Sequence, residues 1–86
     1  MKFRPVEQHP LKDRRSRRAE WRRYSASDWR LDPDLFGRRF YFVNEEFRIE
    51  GWLQNNPVYS VYLTRKSDGA AFATTSEDIG EILSFQ

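Results

Sequence analysis

The sequence has no cysteine, one histidine and one methionine among its 86 residues. Without cysteine there are no disulfide bridges and no thiolate metal sites, and a reducing compartment fits this usage. A single histidine, His9, excludes the common zinc sites, which need several His or Cys ligands. No apolar run approaches the roughly 18 residues of a membrane span, and the N-terminus lacks the apolar stretch of a signal peptide. We therefore expect a soluble, cytoplasmic protein with no metal site and no membrane partner.

Residue patterns typical of catalytic sites are also scarce. The glycines are scattered and form no phosphate-cradling loop; they are Gly37, Gly51, Gly69 and Gly80. His9 lies between Glu7-Gln8 and Pro10, in a lead without periodicity, so a His-centred dyad would depend on a mobile residue. The acidic residues near the C-terminus are explained by helix-terminal and surface placement. The sequence predicts a protein that is not an enzyme and takes no cofactor.

The net charge of +2 hides a polarised chain. Residues 1–30 carry ten Lys/Arg and four Asp/Glu, whereas residues 31–86 carry five and nine. Of the fifteen basic residues, twelve are arginine, whose planar fork of donors grips phosphate or carboxylate at two points. We predict a basic N-terminal arm over residues 1–30 and a compact β-rich domain over residues 31–86.

The arm contains the densest basic block. Residues 1–10 include Pro5 and Pro10 and are predicted to be an extended or flexible lead. Residues 11–24 contain no Gly or Pro and are rich in arginine, a good helix former. Their apolar positions are too sparse for a continuous stripe, so a helix over 11–24 needs docking or a partner for stability.

From residue 31 onward the pattern changes to turns and alternation. Asp32-Pro33 followed by Gly37 predicts one helical turn capped by Asp32, and Trp29, Leu31, Leu35 and Phe36 are expected to dock this connector. Alternation then predicts strands over 39–43, 47–53, 58–65 and 70–74, with a hairpin at Asp68-Gly69. Thr75 or Ser76 caps a C-terminal helix with an apolar stripe of Ile79, Ile82 and Leu83. The predicted fold class is α+β: a small, bent antiparallel sheet or an SH3-like barrel of four to five strands, with a basic N-terminal helix or arm and a short C-terminal helix.

Residues 37–79 resemble the small SH3-like barrel modules of phage and mobile-element proteins. The resemblance rests on Gly37, Phe47-Arg48-Ile49-Glu50-Gly51-Trp52, Tyr59-Ser60-Val61-Tyr62-Leu63, Ser67-Asp68-Gly69 and Thr75-Ser76-Glu77-Asp78-Ile79. It covers about half of the chain. Such folds host DNA, RNA, peptide and protein binding alike, so the resemblance implies a fold and not a function.

The basic block supplies the candidate site: Arg14, Arg15, Arg17, Arg18, Trp21, Arg22 and Arg23. Its cations would neutralise phosphates of DNA or RNA, and Trp21 would stack on bases or anchor the segment. The same block would also suit an acidic protein surface, and a third interpretation is a solvated tail that improves solubility.

Two further aromatic residues form a possible secondary contact. Trp52 and Tyr59 flank the loop at 54–57 and are typical of contact residues beside a loop in an SH3-like module. Phe40, Phe42, Phe47, Phe72 and Tyr62 are instead expected in the core, because the domain has few other large core formers. Glu45, Glu46 and Glu50 around the first hairpin suit either a surface for a basic partner or a charged edge that prevents aggregation.

Two functional hypotheses follow. The first is a small non-enzymatic protein that binds the nucleic-acid backbone through its Arg-rich segment. The second is a phage or mobile-element inhibitor or adaptor that binds a host nucleic-acid enzyme, such as a CRISPR effector, with the arginines on an acidic protein surface. The sequence leaves the choice between them, and the oligomeric state, open.

Overall fold

The computed structural model describes residues 3–28 and 30–86; Met1, Lys2 and Trp29 lie outside the described residues. It confirms the α+β class. The strands are β1 (Arg4–Pro5), β2 (Arg39–Phe42), β3 (Glu45–Trp52), β4 (Val61–Arg65) and β5 (Ala71–Thr74). The helices are α1 (Arg14–Ser25) and α2 (Ser76–Ser84), with a short 3-10 helix at Pro33–Leu35.

The five strands form one antiparallel sheet in the order β1-β5-β4-β3-β2. Among the described residues β1 and β2 do not pair, so the sheet is open, the first of the two predicted architectures. It is nevertheless bent, because Phe3 before β1 packs on Phe42 of the opposite edge strand, with 4.6 Å between ring centroids. The phenylalanines of β2 and β3 fill the concave side: Phe40 and Phe47 are buried and Phe42 is half-buried.

Turn chemistry sets the strand ends, and two of them differ from the prediction. Val43 and Asn44 take positive φ angles of 51° and 62°, which make a two-residue turn, so β3 begins at Glu45 and not at Phe47. β4 begins at Val61 and not at Val58. The Asn56 side chain accepts hydrogen bonds from the amides of Val58 (3.1 Å) and Tyr59 (2.9 Å), which keeps this segment in a loop.

The other local predictions are confirmed. Asp32 caps the 3-10 helix by accepting from the Asp34 amide at 2.8 Å, and Thr75 caps α2 by accepting from the Asp78 amide at 3.0 Å. Gly69 has φ +73° in the hairpin between β4 and β5. In the connector, Leu31 is buried and Leu35 and Phe36 pack against the core, whereas the prediction for Trp29 lies outside the described residues.

The lead is ordered, and the expectation of a mobile His9 is wrong. β1 pairs with β5, and the His9 ring is 3 % exposed. Its Nε2 lies 2.8 Å from the Trp52 carbonyl oxygen, and its Nδ1 accepts from the Leu11 amide at 3.0 Å. A sequence pattern could not show this, because the partners come from β3 and from the local backbone fold of the lead.

Helix α1 packs on β3 and adds to the same core. It begins at Arg14 and not at residue 11, because Asp13 is its N-cap and accepts from the Ser16 amide at 3.1 Å. Trp21 is 0 % exposed and lies in a cluster with Leu31, Ile49 and Ile79. The residues predicted as an arm thus contribute a strand, a buried ring and a docked helix to the β-rich body.

Candidate nucleic-acid interface

Helix α1 is held to the sheet by a buried carboxylate. Glu50 is 7 % exposed on β3. Arg17 donates from Nε to the Glu50 carbonyl oxygen at 2.9 Å and from Nη2 to its Oε2 at 3.3 Å. The Arg17 Nη1 also donates to the carbonyl oxygens of Leu11 and Lys12. All of its nitrogens are therefore used internally, and Arg17 is a docking residue in this structure.

The aromatic residues of the basic block face inward. Trp21 is fully buried, and its Nε1 lies 3.3 Å from the Asp32 carbonyl oxygen. Tyr24 is half-buried and stacks on Trp52, with ring centroids 6.3 Å apart and planes 13° apart. Of the two roles considered for Trp21, the structure places it as an anchor, and its ring is not at the surface where a base could stack.

Four of the predicted arginines form the outer surface of α1, which we call the helix ridge: Arg15, Arg18, Arg22 and Arg23. All four are exposed. Arg15, Arg18 and Arg22 follow at spacings of three and four, which places them on one side of the helix over about 10 Å. Within residues 3–28 and 30–86, no carboxylate lies within 4.0 Å of the ridge guanidinium groups. These cations therefore have free donors for an anionic partner.

The position of the arginines along α1 costs helix stability at one end. Arg22 and Arg23 lie in the last turn, where the helix dipole favours cations. Arg14 and Arg15 lie in the first turn, which contains no acidic residue and where the dipole disfavours cations by about 0.3–1 kcal/mol. The carboxylate of Asp13 at the N-cap and that of Glu50 beside Arg14 offset part of this cost.

Arg14 connects the helix ridge to the sheet. Its Nε lies 3.8 Å from Glu50 Oε2, and its guanidinium carbon is 5.0 Å from the centroid of the Phe36 ring. Gly37 has φ +82°, and a Cβ at this position would lie 2.7 Å from Arg14 Nη2. Glycine is favoured here by the positive φ angle, whereas the exposed Arg14 guanidinium group could shift away from a Cβ.

A second group of cations, the sheet patch, lies on the outer face of the sheet: Arg39, Arg48 and Lys66. With Glu46, Glu50 and Thr64 they line a pocket of about 200 Å³. Arg48 Nη1 is 3.5 Å from Glu50 Oε1, on the other side of the carboxylate that Arg14 and Arg17 contact. Sequence reasoning missed this patch, because the patch depends on the strand register that places Arg39 opposite Arg48.

The secondary contact residues, Trp52 and Tyr59, lie apart from the helix ridge and are both half-buried. Trp52 lines a groove of about 990 Å³ between residues 5–11, Glu20 and residues 52–56. Among residues 3–28 and 30–86, Glu7 and Glu20 line this groove and no Lys or Arg does. One face of the Tyr59 ring is covered by Arg4, whose guanidinium carbon is 4.1 Å from the ring centroid.

The described part of the chain offers no other chemistry at this surface. It contains no group of three or more His, Cys, Asp or Glu side chains that would hold a metal ion. None of the helices in residues 3–28 and 30–86 is long and apolar enough to cross a membrane.

Comparison with protein families gives one assignment. Residues 20–86 match the model of the Y4mA C-terminal domain. This chain belongs to the Y4mA C-terminal domain family. The matched region begins inside α1, so it includes Arg22 and Arg23 and leaves Arg14, Arg15, Arg17 and Arg18 outside it. No curated protein and no solved structure matches the chain significantly.

Proposed function

We propose that this domain is a non-enzymatic nucleic-acid-binding module that contacts the phosphate backbone through the helix ridge. The observation that carries the proposal is the set of exposed arginines on α1 that lack a carboxylate within 4.0 Å among the described residues. Each such cation releases a condensed counterion when it neutralises a phosphate, and this release drives binding.

The geometry favours binding that does not depend on sequence. The ridge side chains are arginines on a docked helix, and Trp21 and Tyr24 are packed inward. Phosphate contacts position a protein on nucleic acid without reading bases. Recognition through this ridge is therefore expected to follow backbone charge.

The experiment is fluorescence anisotropy with a labelled 16-base-pair DNA duplex and the matching single strand across a series of salt concentrations. The four phosphate contacts of the helix ridge predict a contribution of about −3.6 to the slope of log K against log salt for the duplex. Arg15→Gln/Arg18→Gln/Arg22→Gln should reduce the size of that slope by about 2.7. Arg4→Gln is the control, because Arg4 is an exposed arginine outside α1 whose guanidinium group lies over the Tyr59 ring. Absence of binding to DNA and RNA at low salt would refute the proposal.

A second candidate function rests on the groove beside Trp52. In the described part of the chain this groove is lined by Glu7 and Glu20 and by no Lys or Arg, so it repels phosphate and suits a basic segment of a protein partner. In an adaptor or inhibitor of this kind, the complex would survive nuclease treatment in affinity capture. Trp52→Ala would abolish the capture, whereas the triple ridge variant would retain it.

A further inference from the structure

The sheet patch brings like charges face to face. In the register of the sheet Arg39 lies opposite Arg48, and Arg48 lies opposite Thr64 on the next strand. Like charges directly opposite each other destabilise a strand pair unless an anion lies between them. Lys66, just beyond the end of β4, adds a third cation to the same pocket.

The carboxylates of the pocket do not use up these donors. Arg39 Nε and Lys66 Nζ lie 4.0 Å and 3.7 Å from Glu46 oxygens, and Arg48 Nη1 lies 3.5 Å from Glu50. A charge-assisted hydrogen bond has a length of about 2.7–2.9 Å. The pair of Arg65 and Asp68, elsewhere in the chain, has such a bond, with 2.7 Å between nitrogen and oxygen. The side chains of the three cations thus have long ion pairs, and in the described residues none of them makes a hydrogen bond of good geometry to the Glu46 or Glu50 carboxylate.

Glu50 is also neutralised from the other side. Arg17 donates to its carboxylate, and Arg14 lies 3.8 Å from the same oxygen. Docking of α1 therefore leaves Arg48 available for another anion. The pocket volume of about 200 Å³ equals that of several water molecules at about 30 Å³ each, so a tetrahedral anion fits.

We infer that the sheet patch is a phosphate subsite, in which Arg39, Arg48 and Lys66 hold one phosphate group of the nucleic-acid strand that the helix ridge binds. The inference rests on the proposed function and extends the footprint from α1 across the outer face of β2, β3 and β4. Arg14 beside Glu50 links the two surfaces, since it lies between Phe36 of the connector and the carboxylate that Arg48 contacts.

The test uses the full chain and the same labelled duplex. Arg39→Gln/Arg48→Gln should weaken binding roughly tenfold at 0.1 M salt and reduce the size of the salt slope by about 0.9, because one phosphate contact is lost. Glu46→Gln should strengthen binding about two- to threefold, because it removes the carboxylate nearest to Arg39 and Lys66. Glu81→Gln on the exposed side of α2 is the matched control and should change the affinity less. A gain in affinity cannot arise from loss of folding, so Glu46→Gln keeps the test valid even if the double variant is unstable.

The possible results separate the two proposals. In one outcome the wild-type chain binds the duplex, the triple ridge variant does not, and the sheet variants have the same affinity as the controls Arg4→Gln and Glu81→Gln. The phosphate subsite is then wrong, and the proposal for the helix ridge is retained. If the wild-type chain binds neither DNA nor RNA at low salt, both are wrong. If the sheet patch does contribute, duplexes with and without a 5′-phosphate show which phosphate it holds. A terminal phosphate predicts that the 5′-phosphorylated duplex binds more tightly and that Arg39→Gln/Arg48→Gln abolishes this gain. A backbone phosphate predicts equal affinity for the two duplexes.

Discussion

Arg17 of α1 contacts Glu50 of β3 twice, through the backbone carbonyl at 2.9 Å and through the carboxylate at 3.3 Å. The pair fixes both the position and the direction of α1 on the sheet, because the same guanidinium also bonds the carbonyl oxygens that precede the helix. The exposed ridge on the other side of α1 is thereby presented as a rigid surface.

Glu50→Gln should destabilise the domain by about 1–3 kcal/mol. The amide oxygen still accepts from Arg17, but the buried negative charge that compensates Arg14, Arg17 and Arg48 is lost. Urea unfolding followed by circular dichroism measures the change. Glu81→Gln, an exposed carboxylate on α2, should stay within about 0.5 kcal/mol of the wild type. Equal stability of both variants would show that Glu50 does not hold the helix.

Trp21→Phe should separate core packing from nucleic-acid contact. The smaller ring leaves a cavity and removes the Nε1 contact to Asp32, so we expect a loss of about 1–3 kcal/mol in the free energy of unfolding. The affinity for a DNA duplex should not change, because the ring is 0 % exposed. Thermal unfolding and anisotropy measure the two quantities. A clear loss of affinity in a folded Trp21→Phe protein would show that Trp21 contributes to nucleic-acid binding.

How well a feature could be predicted from the sequence depends on how far apart in the chain its interacting residues lie. The caps at Asp32 and Thr75 and the Gly69 hairpin are set within a few residues, and they were predicted. The pairing of Arg4 with Ala73 joins segments far apart in the chain and has no periodic signal, so β1 was missed. The docked face of α1 includes Trp21, Tyr24 and Ser25 together with Arg17, and an arginine in the sequence does not indicate a docked position although this one bonds Glu50.

The site shows the same limit. The ridge arginines could be predicted from the sequence because they lie in one basic block. The prediction, however, placed all seven residues of the block on one surface. In the structure Arg17 and Trp21 turn inward, whereas Arg15, Arg18 and Arg22 remain exposed. The sheet patch required the register between β2, β3 and β4, which places Arg39, Arg48 and Thr64 in one row.

His9 should carry its proton on Nε2 when the ring is uncharged. Nδ1 accepts from the Leu11 amide at 3.0 Å, so it needs a free lone pair, and Nε2 donates to the Trp52 carbonyl at 2.8 Å. Long-range proton–nitrogen NMR at pH 8 identifies the tautomer directly. His9→Ala should cost about 1–3 kcal/mol, because the Trp52 carbonyl and the Leu11 amide lose their partner. The opposite tautomer, or an unchanged stability, would contradict this latch between the lead and β3.

The ion pair in the hairpin between β4 and β5 makes the stability of the fold depend on pH in the acidic range. Arg65 donates to both carboxylate oxygens of Asp68, at 3.0 and 2.7 Å. These hydrogen bonds, together with one from the Ala70 amide, lower the pKa of Asp68 from 3.8 to about 2. Because the pKa is lower in the folded state, the unfolded chain takes up the proton first as the pH falls. The stabilisation is therefore complete above about pH 4 and is lost between pH 4 and pH 2.

Carbon-13 NMR titration of the Asp68 carboxyl group measures this pKa. Arg65→Gln removes the larger cause of the shift, so the midpoint should rise from about 2 toward 3.8. The remaining bond from the Ala70 amide, 3.0 Å long, should keep the midpoint of the variant slightly below the ordinary value. The variant should also lose less stability than the wild type on acidification from pH 4 to pH 2, as followed by urea unfolding. A wild-type midpoint near 3.8, unmoved by Arg65→Gln, would show that the pair does not persist in solution.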